Sequence, residues 1–227
     1  SGRKQAEANQ KFLFEVAELI RRSERAEELL FQVASLIGEH LVVRRCFFNE
    51  IDLAKDRETI HRDYCRGVES VAGIHRISDY SSITSAEIQS GKTIINCDAK
   101  KDPRTAHLFE EVYAPAGEMA YIAVPLLREN VWVASLWLSD DKPRDWSAAE
   151  INLLETVAER AWLAVEKLRS EAALRESAEV MRLAISAANL YSWQFDLEAK
   201  KVVYSANVAD VVGFALPTDY DELIEYI

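Results

Sequence analysis

Cysteine, proline and glycine are all scarce in this sequence. Its 227 residues include 3 cysteines, 5 prolines and 7 glycines. An odd number of widely spaced cysteines argues against a disulfide scaffold and fits a reducing compartment, so we expect a cytoplasmic protein. The 49% of hydrophobic and 29% of charged residues are ordinary for a soluble globular chain. The length suits one large domain, or one domain and part of another.

Basic residues and long apolar runs are also lacking. The chain has 27 lysines and arginines against 38 acidic residues, and its formal net charge is −11. Because no basic stripe could neutralise phosphates, we expect no nucleic-acid partner. The longest apolar run, residues 121–127, is much shorter than the roughly 20 residues that cross a bilayer, so we expect no membrane insertion. We interpret the opening Ser1-Gly2 as a cloning remnant and expect no signal peptide.

Glycine and proline are absent altogether from residues 144–212. Ser147 and Glu150 have the spacing of a capping box, in which each side chain binds the other residue's backbone N–H. Apolar residues then recur at alternating steps of three and four, at Ile151, Leu154, Ala158, Ala161, Val165 and Leu168. This spacing is typical of a coiled-coil seam or of a helix lying on a sheet, and its phase slips near residue 172. We predict one long helix that leaves the first domain and carries a signal onward.

Helical and strand patterns alternate through the first 170 residues. Two amphipathic helices are predicted first, one over residues 4–22 and a second that stops near Gly38. A short helix is predicted at about residues 82–90. Strands are predicted at 46–52, 59–65, 73–77, 93–96, 121–127 and 131–138. The fold class is therefore α+β, with one antiparallel sheet that carries helices on one face.

Residues 98–117 show no clear period, and we predict a long loop with one helical turn. Loops of this length in a compact domain are usually functional or disordered, so we expect this one to cover the second face of the sheet and leave a pocket. Aromatic side chains suit a small-molecule site, and the candidates are Phe48, Tyr80, Tyr113, Tyr121 and Trp137. Asp98 and Arg104 would orient a polar ligand, and His107 would touch it. Core packing, a loop salt bridge and a surface histidine are the competing interpretations.

Several short stretches, in fixed order, make residues 24–170 similar to a GAF domain. They are Gly91-Lys92-Thr93-Ile94-Ile95-Asn96-Cys97-Asp98, Asp102-Pro103-Arg104, Ala123-Val124-Pro125-Leu126 and Arg144-Asp145-Trp146-Ser147-Ala148-Ala149-Glu150-Ile151. GAF domains are the small-molecule-sensing modules of bacterial signalling proteins and phosphodiesterases. The resemblance implies a six-stranded antiparallel sheet in the order 3-2-1-6-5-4.

The end of the chain resembles the opening of a PAS domain. The stretches that carry this likeness are Ala187-Ala188-Asn189-Leu190-Tyr191-Ser192-Trp193, Tyr204-Ser205 and Val212-Gly213-Phe214. Together the resemblances divide the chain into an N-terminal dimerisation helix, a GAF domain, a signalling-helix linker and the N-terminal part of a PAS domain, at residues 1–23, 24–170, 171–185 and 186–227. This order is typical of bacterial sensor histidine kinases of two-component systems.

The resemblance leads to a main functional hypothesis and two alternatives. We expect a homodimer, paired through the N-terminal and signalling helices, that binds an unidentified small molecule in the GAF pocket. The first alternative is a structural spacer and dimer platform that senses nothing. The second is a free methionine sulfoxide reductase, which has this fold; Cys46, Cys65 and Cys97 do not follow the pattern of that family.

No catalytic or metal site is expected within the chain. No Ser-His-Asp, Cys-His, paired-carboxylate or phosphate-loop arrangement is visible, and neither is a phosphoacceptor-histidine helix or an ATP-binding glycine box. Kinase activity would belong to another part of the full-length protein. The cofactor is unknown. We expect no covalent bilin, because residues 108–115 lack the Cys-His pair that phytochrome-type GAF domains carry before the fifth strand.

Overall fold

The chain folds into two compact units, Ser1–Arg169 and Ser170–Ile227. A computed structural model describes residues 2–188, 190–205, 207–219 and 221–223, with side chains for all of these except 2–6 and 186. No helix in these ranges is both long and apolar enough to cross a bilayer.

The first unit is built from helices and a six-stranded sheet, as the sequence predicts. The helices are α1 Gly2–Arg22, α2 Ala26–Leu41, α3 Ser82–Gln89 and α4 Ala148–Ala187, the last of which continues into the second unit. The strands are β1 Arg45–Asp52, β2 Arg57–Cys65, β3 Gly73–Arg76, β4 Ile94–Asn96, β5 Ala120–Arg128 and β6 Val131–Asp140. Their order is β3-β2-β1-β6-β5-β4, with every neighbouring pair antiparallel. The predicted fold class and strand order are confirmed.

One face of the sheet, the helix face, is covered by α1, α2 and the first part of α4. Cys46 and Phe48 of β1 and Leu136 of β6 point to this side and are buried in the same apolar core as the helices. In the apolar seam of α4, Ile151 is partly buried and the positions from Leu154 to Val165 are buried there too, so this part of the seam lies on the chain's own sheet. Each fully buried large aliphatic side chain stabilises the fold by about 1.5–3 kcal/mol relative to an exposed one, and this layer holds the larger of the two apolar clusters found among the described residues.

Gly38 lies near the end of the second helix, as predicted, but the helix does not stop there. Gly38 lies inside α2, which ends at Leu41 with Val42 in the left-handed conformation at φ 55°. The reason for the glycine is a close packing contact, because a Cβ at this position would lie 2.2 Å from Cδ1 of Tyr64 on β2. Gly38 therefore allows the helix to approach the sheet.

The start of α4 has the predicted capping box. The Ser147 N–H donates to Glu150 at 2.8 Å, and the Glu150 N–H donates to the Ser147 hydroxyl at 3.3 Å. Arg144 connects this start to the rest of the helix face, since its guanidinium donates to Glu150 at 2.8 Å and to the carbonyl of Leu41 at 3.0 Å. The helix is therefore held in place at its first turn.

The second unit holds a hairpin and a short helix within its described residues. β7 Trp193–Asp196 pairs with β8 Lys201–Tyr204, and α5 spans Val208–Val212. Gly213 follows α5 in the left-handed conformation at φ 90°, as expected for a glycine that ends a helix. Val202 is the buried hydrophobic residue among those described here. The predicted helix after Asp219 reaches residues that lie outside the described ones.

Candidate functional site

A cavity of about 400 Å³ lies on the second face of the sheet, which we call the cavity face. The sheet supplies Phe47, Asn49 and Trp137, α3 supplies Thr84, and the loop of residues 98–117 supplies Tyr113. The loop holds a 3-10 turn, Ala106–Leu108, and a π-helix, Phe109–Tyr113, where the sequence predicts one helical turn. The cavity thus lies between loop and sheet, where the sequence places a pocket.

A row of stacked aromatic rings forms part of the cavity face. Trp137 stacks on Phe47 at 6.4 Å between ring centroids and on Tyr121 at 4.7 Å. Tyr121 in turn stacks on Tyr113 at 5.7 Å. Phe47 and Trp137 are direct partners on β1 and β6, so the sheet register sets their stacking. The row gives one side of the cavity a rigid apolar surface.

A nearly buried carboxyl, Glu58, lines the cavity beside Asn49. The Asn49 side-chain amide donates to Glu58 at 2.7 Å, and the two residues are 2% and 6% exposed. Burial raises the pKa of Glu58, while this hydrogen bond and the nearby His75 oppose the rise. The ionised form of Glu58 is therefore destabilised in the folded chain.

A second buried carboxyl, Glu118, has a cation close by. Arg45 approaches it at 3.4 Å, and the Trp137 indole N–H donates to it at 3.2 Å. Burial raises the pKa of Glu118, and the Arg45 guanidinium opposes the rise. Arg45 also donates to the carbonyls of Ala116 at 2.8 Å and Glu69 at 2.7 Å, so it holds two loops around the cavity.

One polar atom of the lining residues, the amide oxygen of Asn49, is buried without a hydrogen-bond partner in the described part of the chain. The buried hydroxyls of Thr84 and Tyr113 interact with the hydroxyl of Tyr121. Leaving a buried polar group unpaired costs about 1–3 kcal/mol, and such groups are uncommon in native structures. A bound molecule with matching polar groups would remove this cost.

The structure brings three of the sequence candidates together at the cavity. Tyr80, Tyr113 and Trp137 line it, and Tyr121 lies behind the lining as a fully buried member of the aromatic row. Phe48 does not reach the cavity, because it points to the helix face and is buried in that core. Neighbouring strand residues point to opposite faces, so Phe47 takes the cavity position instead.

The three remaining candidates lie away from the cavity. Arg104 donates to Asp102 at 2.6 Å, to Glu87 at 3.0 Å and to the Ile95 carbonyl at 2.7 Å, so it fastens the loop to α3 and β4. Asp98 pairs with Lys101 at 2.8 Å, and that partner lowers its pKa. His107 is exposed on the loop.

Sequence reasoning missed Phe47, Asn49, Glu58, Glu118 and Trp132 among the lining residues. One signal was available for Asn49, since a neutral polar residue that follows two phenylalanines within a strand marks either a solvent-facing position or a site. Glu118 gave no comparable signal, because it lies at the end of a loop without a period.

The three cysteines are not among the residues that line the cavity. Cys46 is buried on the helix face, and Cys97 is exposed. Cys65 donates to Asp63 at 3.2 Å, and burial together with that carboxylate raises its pKa to about 11. A thiol with so high a pKa is a weak nucleophile at neutral pH.

The model of the GAF domain family matches residues 25–165. This span is more than half of the chain, and the chain belongs to the GAF domain family. The fold agrees with the membership. A comparison with curated proteins finds no match.

Solved GAF domains share the fold at low sequence identity. The GAF domain of an Acinetobacter phosphoenolpyruvate-protein phosphotransferase is 19% identical, with 74% of this chain and 95% of that chain covered and a TM-score of 0.57. A phycoerythrobilin-bound GAF domain of a cyanobacterial phytochrome is 12% identical, with 74% and 99% covered and a TM-score of 0.64. The free methionine-R-sulfoxide reductase of Neisseria meningitidis, solved with its substrate, is 12% identical, with 70% and 90% covered and a TM-score of 0.55. These likenesses show the fold and leave the ligand open.

Proposed function

We propose that the chain is a cytoplasmic sensory and dimerisation module of a bacterial signal-transduction protein of the sensor histidine kinase type. A small molecule binds in the cavity and orders the loop of residues 98–117. Binding biases α4 between two packing arrangements, and the signal passes along α4 to the PAS part and a kinase. The observation that carries the proposal is the cavity of about 400 Å³, whose lining holds the buried amide oxygen of Asn49 without a hydrogen-bond partner among the described residues.

A short route from the cavity to α4 supports the relay. Asn49 lines the cavity, and Glu50, the next residue on β1, points to the other face. Glu50 accepts two hydrogen bonds from Arg169 of α4, at 3.0 and 2.5 Å. A displacement of β1 caused by a ligand would therefore act directly on the last residue of the first unit.

The exposed part of α4 supports pairing between two copies. The residues at alternating four- and three-residue steps, Leu174, Ala178, Met181 and Ile185, are exposed or only partly buried by the described chain. Leu174 and Met181 are 72% and 62% exposed. An apolar stripe with this spacing is what a parallel coiled coil buries.

The alternatives have less support. A spacer that senses nothing would have its pocket filled by its own side chains, whereas the volume here falls in the range of about 300–1,000 Å³ of small-molecule sites. A methionine sulfoxide reductase would need a reactive thiol, and the cavity is lined by none among the described residues.

The proposal is tested on freshly purified protein by native mass spectrometry and an absorption spectrum, which reveal a copurifying small molecule. A thermal-shift screen with a metabolite library then finds ligands that raise the Tm. Ser85→Trp fills the cavity from α3, and Ala86→Trp places the same ring at an exposed position on that helix. We expect the Tm shift to disappear in Ser85→Trp and to persist in Ala86→Trp. Equal shifts in both variants would contradict binding in the cavity.

A further inference from the structure

The charged groups around the cavity are mostly acidic. Four carboxyl residues line it, Glu58, Asp79, Glu111 and Glu118, against the basic residues His75 and Arg76. Arg76 is exposed and pairs with Asp56 at 3.2 Å. The ring of His75 hydrogen-bonds through Nε2 to the carbonyl of Val71 at 2.8 Å. A concave site lined mainly by one sign of charge attracts ligands of the opposite sign.

The two buried carboxyls differ in their partners. Glu118 has Arg45, whose terminal nitrogens are also taken by two backbone carbonyls. Glu58 makes no ion pair with any described residue and receives one hydrogen bond, from Asn49. The amide oxygen of Asn49 is itself buried and has no hydrogen-bond partner among the described residues. Two acceptors thus lie side by side at the cavity, and no cation in the described part of the chain donates a hydrogen bond to either of them.

An anionic ligand is a poor match for this arrangement. Its charge would lie near Glu58 and Glu118, where burial strengthens repulsion between like charges. The buried cation nearest to Glu118, Arg45, is already engaged by its own partners. The rest of the lining includes apolar side chains such as Phe47, Ile60 and Trp137.

We infer that the cavity takes a small organic cation, with its charged nitrogen against the carboxylate of Glu58 and its apolar part against the aromatic row. The inference rests on the proposed function, since it names the chemical class of the ligand. The nitrogen donates to Glu58 and to the amide oxygen of Asn49. It supplies the ion-pair partner that Glu58 does not have among the described residues.

The inference is tested with matched probes on the whole chain. Phenethylamine, 2-phenylethanol and 3-phenylpropionate share one ring and differ in charge, and indole and cyclohexyl series are added in the same way. Ligand-observed NMR detects binding, and titration gives each Kd. We expect every amine that binds to do so about tenfold more tightly than its alcohol, with the carboxylates weakest. This comparison on the unmodified chain does not depend on any variant folding.

Two substitutions test whether Glu58 causes the preference for amines. Glu58→Gln keeps an acceptor for Asn49 and removes the charge, so we expect it to abolish the preference for amines. Glu176→Gln removes an exposed carboxyl of α4 and is expected to leave the preference unchanged.

The outcomes separate this inference from the proposed function. Alcohols or carboxylates that bind as tightly as the amines would contradict the inference that the ligand is an organic cation. An unchanged preference for amines in Glu58→Gln would contradict it too. In both cases the proposal that the cavity binds a small molecule would still stand. Absence of binding by all three series would also overturn the organic cation, and the Tm shifts of Ser85→Trp and Ala86→Trp decide the small-molecule site separately.

Discussion

At the scale of single residues, the site is governed by buried charges that are neutralised to different degrees. Arg45 is 2% exposed and lies between two carboxyls, Glu118 at 3.4 Å and Asp63 at 3.6 Å. Removing one member of a buried ionic group leaves the charges of the other members buried without an opposite charge nearby. The adjacent Arg44 pairs with Asp141 at 3.1 Å but is about one third exposed, so solvent weakens that pair.

The neighbouring arginines give a matched pair of substitutions. We expect Arg45→Met to lower the free energy of unfolding by about 3–5 kcal/mol, because Glu118 and Asp63 would remain buried without their cation. Arg44→Met should cost no more than about 1 kcal/mol. Urea unfolding followed by circular dichroism measures both. Similar losses in the two variants would mean that the buried group is not what stabilises this region.

The raised pKa of Glu58 predicts a pH dependence of stability. Burial raises this pKa above its unfolded value, so the native state binds the proton more tightly than the unfolded state does. The contribution of Glu58 to the free energy of unfolding is present at low pH and is lost as the pH rises through the raised pKa of the folded state. Glu58→Gln cannot ionise, and we therefore expect it to have a higher Tm than the parent chain near neutral pH.

The same substitution should have little effect in acid. Well below the unfolded pKa of about 4.3, Glu58 is protonated in both states, and the difference in Tm should vanish. Thermal melts across the pH range, with Glu176→Gln as the control, measure this. A Tm difference that does not change with pH would contradict the assignment.

At the scale of elements, the close contact between α2 and β2 depends on one glycine. An alanine inside a helix usually gains about 1 kcal/mol over glycine. At Gly38 the added methyl would meet the Tyr64 ring at 2.2 Å, and overpacking of this kind costs about 1–3 kcal/mol. We expect Gly38→Ala to be destabilising on balance, as measured by urea unfolding.

The control for this prediction removes the ring. In a Tyr64→Ala background the methyl group has space, so Gly38→Ala should there become stabilising by up to about 1 kcal/mol. Destabilisation in both backgrounds would show that the ring is not the cause.

Helices and strands with a clear hydrophobic period were predictable from the sequence. The face to which a side chain points and the contacts between distant residues were less predictable. The capping box at Ser147 and the apolar run of β6 depend on neighbouring residues, so local patterns find them. The two faces of β1 could not be told apart, because Phe47 and Phe48 are equally apolar. The role of Gly38 depends on Tyr64, which is distant in sequence and becomes a neighbour only in the folded sheet. The role of Glu118 likewise depends on its ion pair with Arg45, which is distant in sequence.

At the scale of the whole molecule, the proposed dimer can be tested through the exposed stripe of α4. Leu174→Glu combined with Met181→Glu places charges in the proposed seam, and we expect it to convert a dimer into monomers. Leu183→Glu is the control. It changes another exposed leucine that lies nine residues after Leu174, on the opposite side of the helix at about 100° per residue.

Light scattering coupled to size-exclusion chromatography reads out this experiment. The parent chain and Leu183→Glu should elute with the mass of two copies, and the double variant with the mass of one. A strictly monomeric parent chain at high concentration would contradict dimerisation through these helices.

Helices α1, α2 and the first part of α4 lie on one face of the sheet, and the cavity lies on the other. Two copies that pair through α1 and α4 would therefore leave the cavity face of each sheet exposed to solvent. Ligand exchange would then need no subunit dissociation, and its rate constant would be independent of protein concentration. The module could follow a changing ligand level while its assembly stays intact.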